Sequence, residues 1–338
     1  MKKYFPILLL KSGEIDALRK LVPVVKDGIT PIIEVTHAEA AKLPKLFKEW
    51  GFQGNSLFLD FSYYLNITPE NADIYFSQAQ IEDVNVVPVI QENSNNQYFD
   101  FVHELLHERE YPEVCFRFSE RSGGLDNIDN RILSLCQRLN VTKDRVSILI
   151  DVAYLDERNH IAVEHTAITT LTAISRKNEY NNIILSSGSF PKDLSRLEPI
   201  DVPHLLTRYE KGLWNQVSVR EDLQGLIKYS DYGTKNPIFE PANFPGTSSI
   251  KYTTTNRFLI YRGVLPGNHD LGNGQYVVFS RSLILRAEYS GAGYSWGDER
   301  INQISQCDLT ADKVKCGAAL TWVSISQNHH ITFIYNSL

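Results

Sequence analysis

Residues 56–62 read SLFLDFS, an apolar run without alternation that ends on Asp60. A near-continuous apolar run of this length fits a parallel strand covered on both faces, and a carboxylate belongs there only where the strand leaves the core. The same design recurs along the chain. Apolar runs occupy 4–11, 29–35, 56–62, 84–92, 113–120, 146–152, 182–189 and 226–233, and each meets a polar residue at its end. Their starts lie about 25 to 45 residues apart, room for one crossover helix each. Helical spacing groups Ile15, Leu18, Leu21 and Val22 within 13–27, Phe99, Val102, Leu105 and Leu106 within 98–108, and Ile128, Ile132, Leu135 and Leu139 within 125–139. A stretch at 38–50 is interrupted by Pro44, and 165–177 and 208–220 carry weaker stripes. Eight strands alternating with helices predict an α/β fold, a (β/α)8 TIM-like barrel. A doubly wound open sheet is the second choice; against it, the first strand–helix turn, KSGE at 11–14, holds no GxGxxG.

The rest of the chain reads differently. SIKYTTTNRFLIYRG (249–263) predicts a hairpin turning near Thr255 and Asn256, YVVFSRSLILRAE (276–288) fits helix or strand, a Gly-rich loop follows at 289–301, and HITFIYN (330–336) reads as a strand. The expected organisation is a barrel over 1–240 and a C-terminal α+β appendage over 241–338, packed on the barrel and able to complete it. NPIFEPANFPG (236–246) is the expected connecting loop.

With 338 residues the chain can bury a full core without disulfide or metal support. Its 43% hydrophobic and 22% charged residues are those of a globular protein. No apolar run approaches the roughly 18 to 20 residues that span a bilayer, so no membrane association is expected. The opening MKKYFPILLL has a basic start, but Pro6 and Lys11 cut its apolar stretch short, and it reads as a strand rather than a leader. Cys115, Cys136, Cys307 and Cys316 lack CxxC spacing and are too sparse for a disulfide framework, which favours a reducing compartment and thus the cytoplasm, while Cys115 and Cys136 fall in a predicted strand and helix and read as core residues. A net charge of −6 speaks against a broad nucleic-acid-binding surface. The 17 Tyr and 16 Phe are not interleaved with clustered Lys or Arg, so they are assigned to core and pocket lining.

Several motifs together resemble the "beta protein" family: YFPILLLKSGEIDALRKL with ITPIIEV, SSGSFP at 186–191, YEKGLWNQ, SDYG, IKYTTTNRFLIYRG, GDERI and the closing W-x5-NHH-x-T. The resemblance runs nearly end to end. It implies relatives among phages, bacteria and mobile elements, distinct from the sliding-clamp β subunit, and it implies no reaction. Members often carry a further lysine two residues before the one matching Lys11, where this chain has Leu9. An anion contact made jointly by two lysines would rest on a residue this chain lacks.

In a barrel the C-terminal strand ends share one mouth. That logic gathers Glu34, Asp60, Asp151 and Asp231 as candidate catalytic carboxylates, suited to general acid–base work or to holding Mg²⁺ or Mn²⁺. Lys11, Arg117 and Arg262 are candidate cations for a phosphate, and Ser187, Gly188 and Ser189 a candidate cradle after the seventh strand, unless Gly188 merely turns the chain and Pro191 opens a helix. Asp298 of GDE and Arg262 of YRG are candidates to close over the mouth, and His330 to join the site. If 330–336 is a strand, His329 and His330 point to opposite faces and only one can do so. The bland alternative is a polar plug in which Lys11, Arg117 and Arg262 pair with the acids. No GxSxG, Walker or zinc-knuckle spacing occurs. The expected function is a protein of phage–bacterium conflict whose mouth binds an anionic, phosphorylated or nucleotide-like ligand, with metal-assisted phosphodiester or nucleotide hydrolysis as its chemistry. The competing expectation is a non-catalytic sensor of a phage or host protein. A third is an inactive barrel descended from an enzyme.

Overall fold

In the computed structural model, residues 3–51, 55–64, 66–240, 246–310 and 315–338 are described. All eight apolar runs form strands of one parallel sheet: β1 Ile7–Leu9, β2 Ile32–Thr36, β3 Ser56–Tyr63, β4 Asn85–Ile90, β5 Val114–Ser119, β6 Val146–Tyr154, β7 Asn182–Gly188 and, eighth in the sheet, β9 Ile227–Asp231. They pair in chain order, and parallel bridging of Tyr4 with Tyr229 brings the last strand back to the first. The architecture is a (β/α)8, TIM-like barrel. Its helices include α3 Leu43–Trp50, α4 Pro69–Ile81, α5 Asn96–His107, α6 Ile128–Leu139, α7 His160–Ala173 and α8 Tyr209–Ser218.

One alternation governs the barrel interior. Ile7, Ile32, Phe58, Val87, Val89, Cys115, Leu149, Ile184 and Tyr232 form a single buried cluster. Side chains two residues apart share a face of a strand. Glu34, Asp60, Gln91, Arg117, Asp151 and Ser186 each stand two residues beyond a member of that cluster, so they form the next layer toward the C-terminal ends.

The chain divides into two compact units, the first comprising residues 1–11, 27–188 and 209–232 and the second 12–26, 189–208 and 233–338. The division is thus not a single cut at 240. Helix α1 Ser12–Arg19 is grouped with the second unit because Ile15, Ala17 and Leu18 bury there alongside the C-terminal helix, whose Asn328 Nδ2 donates to the Ala17 carbonyl at 3.0 Å. The segment 189–208 supplies β8 Ile200–Thr207, which pairs antiparallel with β11 Arg257–Arg262 of the hairpin; β11 also pairs with β10 Ser249–Thr253. Around this sheet the second unit places α9 Gln275–Ile284, α10 Trp296–Ser305 and α11 Ala319–Ser337. The expected connecting loop at 236–246 lies partly outside the described residues.

Three expectations about elements are corrected, the first being that the Gly-rich loop expected over 289–301 gives way at Trp296 to α10, capped by the Ser295 side chain. HITFIYN is the end of α11, a helix nearly buried all round, so its β-branched and aromatic residues mark a core helix rather than a strand. Pro191 opens no helix: after Gly188 the chain runs irregularly to β8, with Phe190 buried against Phe258 and Ile260. No helix among the described residues is long and apolar enough to cross a membrane.

Candidate functional site

Arg117 stands at the centre of the polar layer. Its side chain projects inward from β5 because Cys115, two residues earlier, is in the barrel core. Nη1 donates to Glu34 Oε1 at 3.0 Å and to Asp60 Oδ2 at 2.5 Å. Nη2 donates to Asp151 Oδ2 and to the Tyr232 hydroxyl, both at 2.7 Å, and Nε to Asp151 Oδ2 at 3.3 Å. A guanidinium has five N–H donors, and these contacts use all five. The residue is 4% exposed, and its acids 1–2%. Burial opposes the Arg117 charge, but Tyr232, Asp151, Asp60 and Glu34 override it and hold the guanidinium well above its ordinary pKa. Burial, with Asp151 and Glu34 opposite, likewise pushes the Tyr232 phenol up, so it remains a donor, to Asp151 at 2.7 Å.

The acids are braced from behind as well. Asp60 Oδ1 accepts from the Ser62 amide at 2.8 Å and from the Ser62 hydroxyl, which in turn accepts from Gln91 Nε2. Asp151 Oδ1 accepts from the Ala153 amide at 3.0 Å, and Ala153 itself takes a left-handed φ of 55°. A non-glycine residue held there costs energy that the surrounding bonds must offset.

Among the candidate carboxylates, then, Glu34, Asp60 and Asp151 meet; Asp231 does not join them. It neighbours inward-facing Tyr232 and so points to the other face, accepting from Tyr4 Oη at 2.7 Å and Tyr229 Oη at 2.9 Å. Lys11 follows β1 at the same end of the barrel, partly exposed. Ser187 and Gly188 lie within β7, and Gly188 takes no left-handed φ, so the stretch continues the sheet instead of opening into a phosphate cradle. Ser189 belongs to the second unit and its hydroxyl donates to the Thr207 carbonyl at 3.2 Å. Arg117 is corrected from a phosphate ligand to a fully engaged hub. The guanidinium lies between the three acids, and among the described residues no group of three or more His, Cys, Asp or Glu is arranged to hold an ion.

Arg262, Asp298 and His330 lie in the second unit. Arg262 Nη1 donates to the Leu197 carbonyl at 2.8 Å. Asp298, in the first turn of α10, accepts from Tyr252 Oη at 2.8 Å, Ser295 Oγ at 2.6 Å and His329 Nδ1 at 2.8 Å. Burial raises its carboxyl, yet His329, Ser295 and Tyr252 outweigh this and hold it below the ordinary range. His329 Nε2 meets the Thr253 carbonyl at 2.8 Å, so both ring nitrogens face acceptors and the ring must donate from both. His330 Nδ1 pairs with Thr253 Oγ1 at 2.8 Å, and Asn328 Oδ1 accepts from the Gly297 amide at 2.9 Å. Because NHH sits on a helix, its side chains fan out to three directions, and all three fasten neighbouring elements. Two motif glycines are fixed by the same packing: a Cβ on Gly297 would meet the Ile325 carbonyl at 2.5 Å, and one on Gly233, at φ 62°, would meet Gln327 Oε1 at 2.1 Å.

Fold and site together define a TIM-like barrel whose strand ends are tied by one buried arginine. Residues 4–336 match the family described as Beta protein, and the chain belongs to that family. No curated protein matches the sequence. Among solved structures, triosephosphate isomerase from Bartonella henselae is similar at 10% identity, covering 69% of this chain and 92% of its own, with a TM-score of 0.33.

Sequence reasoning overlooked Tyr232, Tyr4 and Tyr229. For Tyr232 a signal existed: it follows Asp231 in SDYG, and strand alternation sends one of two adjacent residues inward.

Proposed function

We propose that this protein recognises a partner rather than converting a substrate: a non-catalytic barrel that binds a phage or host molecule in phage–bacterium conflict. The saturated Arg117 carries the reading. A phosphorylated ligand needs a cation with donors to spare, whereas all five donors of Arg117 are engaged by acids and Tyr232. Hydrolysis assisted by Mg²⁺ or Mn²⁺ needs acids disposed around an ion, and here a guanidinium takes that place. In this reading the cluster ties the ends of β2, β3, β5, β6 and β9 into a fixed rim. The setting in conflict between phage and bacterium is carried over from what the family resemblance implies about relatives among phages, bacteria and mobile elements.

The test is turnover of a nucleotide and oligonucleotide panel with Mg²⁺ or Mn²⁺, read by mass spectrometry, for wild type and Asp151→Asn. Neither should form product. Product from wild type that vanishes in Asp151→Asn would overturn the reading in favour of a hydrolase.

A further inference from the structure

Residues 103–107 read HELLH, an HExxH spacing on α5 that sequence reasoning passed over. Residues four apart share a face of a helix, so this spacing sets two imidazoles side by side, an arrangement by which helices hold metal ions. In the fold the His103 and His107 rings do meet, with centroids 4.4 Å apart and planes tilted by 41°, and both residues are exposed. A metal about 2.1 Å from a ring nitrogen sits about 3.2 Å from the ring centroid. Two rings on adjacent corners of a square or octahedron then stand about 4.5 Å apart, and two on a tetrahedron about 5.2 Å. The separation in the fold matches the first closely.

Two further observations point to a cation at this place. His107 Nε2 lies 2.8 Å from the Leu139 carbonyl, which can only accept, so Nε2 carries the proton and Nδ1 of the neutral ring keeps its lone pair. A carbonyl on the far nitrogen is the usual partner of a metal-ligating histidine, because it fixes tautomer and ring orientation. His103 makes no hydrogen bond among the described residues, so its ring can turn toward a shared ion. His107 stands in the last turn of α5 and Leu139 ends α6, so the negative poles of both helices lie here. The arginines nearby are engaged elsewhere. Arg109 Nη2 donates to Glu104 at 2.7 Å, Arg138 lies 3.4 Å over the Phe99 ring with Nη2 on Asn96 Oδ1 at 2.8 Å, and Arg145 Nη2 donates to the Leu106 carbonyl at 2.9 Å. Asp100 and Glu108, on the same helix and just past its end, are exposed acids.

The spacing also carries Glu104, which in a catalytic HExxH site works on the metal-bound water. Here Glu104 Oε1 accepts from Arg109 Nε at 3.1 Å and Nη2 at 2.7 Å, and no third His, Cys, Asp or Glu among the described residues joins the two rings. The pair can grip an ion whose other positions water fills, while its glutamate is committed to an arginine. We propose that His103 and His107 form a surface site for one divalent transition-metal ion of the kind imidazole suits, Zn²⁺, Ni²⁺ or Cu²⁺, held by His107 Nδ1 and a ring nitrogen of His103. The site goes beyond the recognition reading above and does not rest on it.

The experiment titrates the full chain, free of any affinity tag and labelled with ¹⁵N in its histidine rings, with Zn²⁺ and separately with Mg²⁺, read by NMR of the ring nitrogens and by calorimetry. About one equivalent of Zn²⁺ should saturate the site, moving His107 Nδ1 and one nitrogen of His103 while His107 Nε2 keeps its proton. Mg²⁺, which takes oxygen ligands, should move neither ring. His103→Gln and His107→Gln should each weaken Zn²⁺ binding about tenfold or more. His165→Gln, which removes an exposed imidazole elsewhere, on α7, should leave it unchanged. Because His103→Gln breaks no hydrogen bond among the described residues, its loss of binding reports the ligand and not the fold. No saturable shift, a response confined to other histidines, or unchanged binding by His103→Gln would overturn the proposal.

Discussion

The Arg117 cluster of the barrel and the Asp298 cluster of the second unit are both buried and both built on carboxylates, but their balance differs. In the first, one guanidinium serves Glu34, Asp60 and Asp151; in the second, one imidazole serves Asp298, with Ser295 and Tyr252 completing the carboxylate's partners. The first ties the ends of neighbouring strands, the second ties α10, β10 and α11. Acids that converge on a barrel mouth can all be tied to one cation. The count of donors on the facing cation decides whether anything is left over for a ligand.

The comparison breaks most readily at Arg117. Arg117→Met leaves three acids without their cation and should cost about 3–5 kcal/mol in urea unfolding, with Arg117→Lys recovering under half of it because an ammonium cannot replace a five-donor fork. A loss below about 1 kcal/mol would mean that the cluster is not a structural hub.

A smaller effect is expected in the balanced network. His329→Phe keeps the ring but strips Asp298 of one partner among three, for a loss of about 2–3 kcal/mol. The Asp298 carboxyl is held below its unfolded value of 3.8. In that range the unfolded chain binds more protons, so stability is present above 3.8 and declines as pH falls through the lower folded value. His329→Phe should flatten this acid limb, and an unchanged limb would sink the pairing.

Lys251, also in the second unit, sharpens the contrast from the alkaline side. It is half-buried, with Nζ donating to the Thr234 carbonyl at 3.1 Å and lying 4.4 Å from the Phe190 ring centroid. Burial, opposed by Glu14, brings its pKa from 10.5 down to about 8. Between those values the folded chain binds fewer protons than the unfolded chain, so stability should rise with pH from about 8 to 10.5. The rise should be on the order of 1–2 kcal/mol after allowing for partial exposure, and Lys251→Met should abolish it. The smallest effect belongs to Tyr98→Phe, which removes a buried hydroxyl with no partner among the described residues: thermal unfolding should register a change within about 0.5 kcal/mol or a slight gain. A loss above about 2 kcal/mol would show that this hydroxyl has a partner.

The barrel was legible because each strand is covered on both faces and so reads as a continuous apolar run, and the acids were legible because they end such runs. Which acids meet depended on strand alternation, and one residue of offset separates Asp231 from the cluster. Helix α4 was missed because its buried positions, Ala72, Phe76 and Ala79, make a weak stripe. Helix α11 was misread because burial nearly all round leaves no polar face to reveal the helical period. Strand β8 was missed because its side chains, exposed or half-buried throughout, and Pro203 break the apolar signature. A polar plug joining Arg117 to the acids was among the alternatives open in the sequence, but that its five donors are all used there was not, since this depends on distances between five separate segments.

Whether every Arg117 donor is engaged can be read by ¹⁵N NMR of its guanidinium, recorded with and without phosphate and nucleotide. A hub with every donor engaged predicts separate, slowly exchanging Nε–H and Nη–H signals that stay fixed up to roughly 50 mM phosphate, far above the affinity of a functional phosphate site. Averaged Nη signals, or signals that move saturably with phosphate or nucleotide, would contradict it and return Arg117 to the role of an anion ligand.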